Sequence, residues 1–482
     1  MNGPLRKRLG LVAMVLLGMY IVLGAYFAYG QLFYGNRWFA RTSNPRSHFV
    51  TEDPSVVPGD ILDRDGERLA YSVTETYQDE SGQSHLRLIR DYNPDARAAS
   101  HVVGFQDPGK GQAGAEAFYS RYLLGYNNNI LESIYQKVFL HQEVGNSIAL
   151  TVDLELQKDV TRIMAGRTGS AVILDAATGD VYAMVSLPNF DPQDVGNVSG
   201  DDLVNRATEG LYAPGSVMKI ITAASALTNI PGIDARTWDC AGTVDVDDQT
   251  IPCYGTHAHG TIDLTQAFAL SCNTTFSKIG DELGWDTLRG TARDFGFEYP
   301  FLFSDMQLTE SQLPETDDLP DDRLAWTAIG QDDVLVSPMH MAMIAACVAN
   351  NGVMMEPRML MAVYNRNDRM IRKPGSRRFR EVMTPAIAAR LKDIMGQVVE
   401  CGTGTRAAVE GLQVYGKTGT AEKRVDGKLG NNAWFVGFAE KGDKTLAIAV
   451  VIEDAGPGET GGGVAAPKAG QMLASAFERI TE

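Results

Sequence analysis

Cysteine, tryptophan and histidine are scarce in this 482-residue chain, at five, five and seven copies. So few cysteines exclude a disulfide-dense scaffold and leave the redox compartment open. A basic excess is missing too: 43 Lys+Arg face 60 Asp+Glu, a net charge of −17, which argues against a protein built to coat nucleic acid. The Gly-rich stretch Asp454–Gly463 lacks the GxxxxGK[ST] pattern, so it is not a P-loop. Acidic residues are absent from the first 50 positions, and after the N-terminal region no apolar run reaches spanning length; Met339–Asn350 is far too short. What is present, 44% apolar, 21% charged and 8% aromatic residues, is neither a disordered nor a collagen-like composition, and the length would accommodate roughly three domains.

The charge is partitioned. Residues 1–50 carry Arg6, Lys7, Arg8, Arg37, Arg41 and Arg46, a block of +6, while the rest holds 37 Lys+Arg against 60 Asp+Glu, a net −23. Between Leu9 and Gly35 there is no charged side chain. At about 1.5 Å per helical residue, some 20 residues cross a ~30 Å hydrocarbon core, so this run is long enough to span with some tilt. Tyr20, Tyr26, Phe27, Tyr29, Phe33, Tyr34 and Trp38 thicken toward its far end, where an aromatic belt belongs. Arg6-Lys7-Arg8 favours a cytoplasmic N-terminus, whereas Arg37, Arg41 and Arg46 weaken that preference. Ala25-Tyr26-Phe27-Ala28 is a poor match to a signal-peptidase site, so an uncleaved anchor is expected, with the body outside the cytoplasm.

In the body, Val57–Ala70 reads as strand, Asp-Gly turn, strand. Ser147–Val152 is strand-like, and Asp153–Met164 predicts a helix capped by Asp153. Ser170–Asp175 with Asp180–Ser186, and Asn432–Ala439 with Thr445–Ile452, predict hairpins; Lys468–Ile480 predicts an amphipathic closing helix. Strands at both ends with helices between give an α+β fold whose sheet joins early and late strands. The acid- and Pro-rich Leu302–Arg323 reads as a solvated surface loop.

Three short motifs follow in order: Ser216-Val-Met-Lys219 (S-x-x-K), Ser271-Cys272-Asn273 (S-x-N) and Lys417-Thr418-Gly419-Thr420 (K-T-G-T). Pro214-Gly215 precedes the first, and the apolar Ile220–Leu227 marks a buried helix, so Ser216 falls at its N-terminus with Lys219 on the same face. A lysine opening a buried helix is costly unless it does chemistry. Serine is a poor nucleophile until a base takes its proton, and a lysine serves as that base when burial and neighbouring cations bring its pKa toward neutrality. Lys417 is a candidate for that cation, Ser271 for a proton relay, and Asn273 for orienting Lys219 or a substrate amide. Lys417, Thr418 and Thr420 suit a substrate carboxylate, with Gly419 allowing close backbone approach. Backbone N–H groups of Ser216 and Thr420 would form the oxyanion hole.

This ordered set resembles the serine penicillin-binding proteins and β-lactamases, and the chain as a whole resembles the class B penicillin-binding proteins. The likeness continues through Gly59–Ala70, Gly114-Ala-Glu116, Leu150-Thr-Val-Asp153, Asp175–Gly179, Asn205-Arg206-Ala207, Gly330-Gln331, Asn350-Asn-Gly352 and Trp434–Phe438. It implies a peptidoglycan DD-transpeptidase: cytoplasmic tail 1–8, transmembrane anchor 9–34, β-rich pedestal 35–150 and transpeptidase domain 151–482, the last an antiparallel sheet with helices on both faces. It also implies that Ser216 attacks the D-Ala-D-Ala bond of a stem peptide, that β-lactams acylate the same serine, and that the anchor and pedestal dock on a SEDS-family glycan polymerase. No cofactor and no nucleic acid are implied. Residues 35–150 are too few for the glycosyltransferase domain of a class A protein.

Three other readings compete with this one. A β-lactam hydrolase needs a base for deacylation, and Glu310-Ser-Gln-Leu313 runs into Pro314 where E-x-x-L-N requires Asn. A sensor would carry a cytoplasmic output domain, and a pure scaffold could afford to lose motif residues. A metal site drawn from Cys240, Cys253, His257 and His259 has looser spacing than zinc motifs, so the expectation is no metal. Given the outward-facing body, a Cys240–Cys253 disulfide is preferred, with free thiols as the alternative. Cys272, Cys347 and Cys401 are expected to pack as small apolar residues, and His257 and His259 to be ordinary surface or packing histidines.

Overall fold

A computed structural model describes residues 3–40, 56–78, 82–126, 136–140, 143–301, 303, 305–425, 428–456 and 458–480. Gly3–Ala40 forms helix α1. Its segment Leu11–Tyr29 has a mean hydropathy of 2.3 and is not buried against the rest of the chain, so it is long and apolar enough to cross a membrane. Exposed Leu, Val, Met and Ile run around its whole circumference, as they do in a helix solvated by lipid. The side chains of Arg6, Lys7, Arg8, Phe33, Tyr34, Arg37 and Trp38, and residues Arg41 and Arg46, lie outside the described residues.

In chain order, the strands of the two large sheets are β1 (Ile61–Leu62), β2 (Arg68–Gln78), β3 (Ser84–Tyr92), β4 (Ser147–Leu150), β5 (Gly169–Asp175), β6 (Val181–Leu187), β7 (Leu360–Tyr364), β8 (Met370–Arg372), β9 (Gln413–Val425), β10 (Lys428–Lys441) and β11 (Lys444–Ile452). The helices that position the site are α2 (Leu154–Met164), α3 (Lys219–Asn229), α4 (Leu264–Ala269), α5 (Asn273–Leu283), α6 (Pro338–Ala349), α7 (Pro385–Glu400) and α8 (Ala466–Ile480).

The first sheet has the order β8-β7-β4-β1-β2-β3. Its β1–β2 turn is the expected Asp-Gly turn: Asp63 Oδ1 accepts the Asp65 and Glu67 N–H groups at 2.9 and 2.8 Å, and Gly66 takes φ +89°. Late-chain β7 and β8 close the other side of this sheet through β7–β4 pairing, Ala362 opposite Ala149.

The second sheet, β6-β5-β11-β10-β9, is antiparallel throughout. Side chains alternate across a strand, so both faces need cover. Leu446, Ile448, Val450 and Ile452 of β11 pack with α2 and α8 through Leu156, Val160, Leu473 and Phe477. The intervening Ala447, Ala449 and Val451 pack toward α3, α6 and α7. α6, packed between this sheet and α7, is buried from Pro338 to Val348, as its apolar sequence with the single polar residue His340 requires. Asp153 caps α2 by accepting the Leu156 N–H at 2.8 Å.

The solvated loop expected at Leu302–Arg323 is not what forms, although Leu302 and Ser304 themselves lie outside the described residues. Leu308, Leu313 and Leu319 are buried, as are Ser311 and Asp305. Asp305 is tolerated there because its carboxylate accepts the Tyr119 hydroxyl at 2.5 Å, the Leu360 N–H at 2.6 Å and the Met359 N–H. The acids that do face solvent, such as Asp317, lie further along the segment.

Candidate active site

Pro214-Gly215-Ser216 enters α3 through a 3-10 turn, Gly215–Met218. Gly215 has φ +55°, and a Cβ there would sit 2.7 Å from the Thr420 carbonyl oxygen, so glycine alone lets this turn meet β9. α3 is buried on all sides near its start, with Ile220, Ile221, Ala223 and Ala224 packed in the core. Lys219 therefore has no path to solvent and is 0% exposed.

Its ammonium nitrogen is held by four oxygens. Lys219 Nζ lies 3.2 Å from Ser216 Oγ, 3.3 Å from Ser271 Oγ, 2.8 Å from the Ser271 carbonyl and 2.7 Å from Asn273 Oδ1. The last two are pure acceptors. They take both N–H groups of a neutral amine and leave its lone pair facing the two hydroxyls, which is the arrangement a general base needs. Burial takes the Lys219 pKa down to about 7, against the opposing pull of the Cys272 and Cys253 sulfurs. The sequence argument gave part of that lowering to Lys417, but desolvation is its cause here.

Ser271 occupies the turn between α4 and α5 with φ +58°, a left-handed conformation unusual for serine and held by its surroundings. Lys417, on β9, is also fully buried, and its Nζ donates to Ser271 Oγ at 2.9 Å and to the Thr418 carbonyl at 3.0 Å. Burial first, and then the charge of Lys219, drive its pKa well below the ordinary lysine value. Ser271 Oγ thus sits between two lysine nitrogens.

β9 is an edge of its sheet, and its Thr418, Gly419 and Thr420 face a cleft of about 740 Å³ lined also by Ser216, Ser271 and Asn273, with Lys417 buried beneath it. Gly419 permits close approach of the nucleophile turn: a Cβ would meet the Pro214 carbonyl at 2.8 Å and Val217 at 3.0 Å. Thr418 Oγ1 is 2.6 Å from Thr403 Oγ1, and Thr420 Oγ1 accepts the Gly461 N–H at 3.1 Å. Three motifs spread between Ser216 and Thr420, with Ser271 and Lys417 146 residues apart, thus meet around one serine hydroxyl.

A family model described as the penicillin binding protein transpeptidase domain matches residues 169–474. The chain belongs to the penicillin-binding protein transpeptidase family. It is 30% identical to the peptidoglycan D,D-transpeptidase PbpA of Mycolicibacterium smegmatis over 99% of each chain. Among solved structures, the D,D-transpeptidase domain of an Eggerthella lenta peptidoglycan glycosyltransferase superposes with a TM-score of 0.75 at 34% identity, covering 88% of this chain and 99% of that one. Penicillin-binding protein A of Mycobacterium tuberculosis, as its ceftriaxone acyl-enzyme, gives 0.80 at 28% identity, with 88% and 99% covered.

Several cleft residues escaped the sequence reading. Thr403, Arg406 and Thr460 line it from segments that carry no motif, and Trp326 from the short helix Asp321–Ala328. The glycine run ending at Gly463, whose sequence excludes a phosphate loop, also borders the cleft. Its role is steric: a Cβ on Gly461 would lie 2.3 Å from the carbonyls of both Gly419 and Trp434. The cysteine expectations also need correction. Cys240 and Cys253 are not bonded, their sulfurs 3.7 Å apart, and Cys401 is exposed because it ends α7 at the surface. His259 is no ordinary histidine, for its Nδ1 lies 3.2 Å from Cys240 Sγ.

Proposed function

We propose that this cleft carries out peptidoglycan D,D-transpeptidation through an acyl-enzyme on Ser216. The observation that carries the assignment is the four-oxygen cradle around Lys219 Nζ, two pure acceptors and the hydroxyls of Ser216 and Ser271. Ser216 Oγ attacks the carbonyl carbon of the D-Ala-D-Ala bond as its proton passes to neutral Lys219. Backbone N–H groups of Ser216 and Thr420 hold the oxyanion. The C–N bond then breaks, the departing D-Ala amine taking a proton relayed by Ser271. Lys417, Thr418 and Thr420 bind the substrate carboxylate, Gly419 keeps β9 against the nucleophile turn, and Asn273 positions Lys219. An amine of a second stem peptide attacks the ester carbonyl and gives a proton to Lys219, which passes it to Ser216 Oγ as the C–O bond breaks, leaving a cross-link, a free serine and a neutral lysine. A β-lactam acylates Ser216 by the first half of the same sequence. Edge strand β9 suits an extended peptide lying alongside it.

The reading extends to the whole chain. Residues 1–8 are cytoplasmic, 9–34 cross the membrane, 35–150 form an outward pedestal and 151–482 the transpeptidase domain, with β7 and β8 locking pedestal to domain. The fully apolar circumference of α1 and the pedestal are the surfaces proposed to dock on a SEDS-family glycan polymerase. A hydrolase is disfavoured because Glu310 does not line the cleft.

Labelling of membranes with a fluorescent penicillin tests the assignment. Stable labelling that disappears in Ser216→Ala is expected. Labelling that survives this substitution would sink the assignment, and label lost within seconds would favour the hydrolase.

A further inference from the structure

The cluster Cys240, Cys253, His259 and Cys272 lies beside the catalytic turn, and we infer that it is a structural zinc site that locks the Ser271-Cys272-Asn273 turn in place. Its four donor atoms all fall within 4.8 Å of one another. Cys253 Sγ is 3.7 Å from Cys240 Sγ and 3.8 Å from Cys272 Sγ, and His259 Nδ1 is 3.2 Å from Cys240 Sγ and 3.8 Å from Cys253 Sγ. A tetrahedral zinc with Zn–S of about 2.3 Å and Zn–N of about 2.0–2.1 Å requires S···S of about 3.7–3.8 Å and S···N of about 3.5 Å. The donor atoms bracket those values.

Pairwise chemistry does not account for the group. No two of these sulfurs are bonded, and a disulfide between any two would leave a third thiol and an imidazole packed against it. Three thiolates and one imidazole are a soft, closed tetrahedral set, the ligand choice of structural zinc. The three cysteines are buried and surrounded by donors that suit a thiolate. Thr274 and Thr275 hydroxyls each lie 3.2 Å from Cys272 Sγ, and the Thr275 N–H points at the same sulfur at 3.5 Å.

The local fold gathers these ligands. Strand Thr237–Cys240 pairs with Gly260–Asp263, Cys240 opposite Gly260, which sets His259 next to Cys240. The hairpin Thr243–Val246 and Gln249–Pro252 turns the chain back so that Cys253 follows it, its N–H donating to the Gly242 carbonyl at 2.8 Å. These two-stranded pieces are too small to hold themselves together without a further link. Cys272 comes from elsewhere, as the N-cap of α5 and the middle residue of the S-x-N motif. With no open coordination position the ion is a rivet and not a Lewis acid. It pins Ser271, in its left-handed conformation, and Asn273, whose Nδ2 donates to the carbonyl of Pro252 beside Cys253. Metal binding is independent of the transpeptidase reading; its effect on acylation rests on that reading.

The test uses the full chain purified in detergent under reducing conditions. Metal analysis should find about one zinc per chain, falling to background in Cys240→Ser and His259→Ala. Cobalt exchanged into the wild-type chain should show thiolate-to-cobalt charge transfer and tetrahedral ligand-field bands, a readout that does not depend on any variant folding. Stripping zinc with a chelator should slow fluorescent-penicillin acylation by about tenfold or more and lower the melting temperature, with both restored by zinc. Wild-type protein without zinc and without a cobalt-thiolate spectrum would overturn the inference, as would a Cys253–Cys272 or Cys240–Cys253 disulfide found by mass spectrometry. One zinc per chain in a protein that takes no penicillin would support the metal site while sinking the catalytic reading; normal acylation by metal-free protein would do the reverse.

Discussion

Lys219 Nζ stands 2.7 Å from Asn273 Oδ1, and this contact ties the helix that carries the nucleophile to the helix that follows the S-x-N turn. The amide has no freedom to flip. Its Nδ2 donates to the Pro252 carbonyl at 2.8 Å, an acceptor that cannot face Oδ1, so the oxygen is fixed on the lysine. The lysine is thus aimed by an amide that is itself aimed by backbone, and the serine hydroxyl is left as the partner of its lone pair.

Replacing Lys219 by Met should separate catalysis from folding. Loss of the base should slow acylation by about 10²–10⁴-fold, measured as the rate of fluorescent-penicillin labelling. The thermal midpoint should hold or rise, because a desolvated amine gives way to an apolar side chain of similar length. A lower midpoint would mean that Lys219 is principally structural.

The acylation rate should also report the protonation of Lys219. Only the neutral amine accepts the Ser216 proton, so the rate should climb as pH rises through about 7. In Asn273→Asp a carboxylate replaces the amide oxygen and favours the ammonium form, moving this limb upward by roughly one to three pH units. Second-order acylation constants measured against pH decide it. An unmoved or lowered limb would remove Lys219 from the role of base.

The second sheet and the catalytic motifs were legible in the sequence because both are local signals. Hairpins at Ser170–Ser186 and Asn432–Ile452 are short, nearly continuous apolar runs rich in β-branched and aromatic residues and bounded by turns, and Ser216/Lys219 share a helix face at i, i+3. What stayed hidden depends on pairing between distant segments. The β4–β7 register joins residues some 210 apart, and nothing in Leu360–Tyr364 announces Ser147–Leu150 as its neighbour. Composition misled at Leu302–Arg323, where many acids suggested solvent although the leucines between them are buried. In the cysteine cluster, Cys240, Cys253 and His259 were within reach of sequence spacing, whereas Cys272 joins them from a helix cap that no spacing announces, and His257 does not belong to the group.

Asp305 should prove a stability residue and not a catalytic one. Asp305→Ala leaves the Met359 and Leu360 N–H groups without this acceptor and the Tyr119 hydroxyl with only the residue 305 backbone carbonyl, at 3.2 Å. Buried donors without partners cost about 1–3 kcal/mol each before relaxation, so a loss of about 2–4 kcal/mol is expected in denaturant unfolding. The folded fraction should label with penicillin at the wild-type rate, and a selective loss of labelling would contradict this division of roles.

His340 should make stability fall on mild acidification. It is fully buried on α6, its Nε2–H donating to the Phe295 carbonyl at 2.9 Å and its Nδ1 accepting from Ser311 Oγ at 2.7 Å, which fixes the neutral ring. Burial lowers its pKa from the ordinary 6.5 to about 4. Between those values the unfolded chain binds a proton that the folded chain does not. The stability contribution is therefore complete above pH 6.5 and is lost as pH falls toward and through 4, by about 3 kcal/mol at most. Carboxylates titrate at the lower end of the same window, so the measurement is a difference: wild type against His340→Gln, unfolded in urea at pH 7.5, 6 and 5. The wild type should lose more stability on acidification than the glutamine variant, and parallel slopes would mean that the imidazole stays charged or reaches solvent in the folded protein.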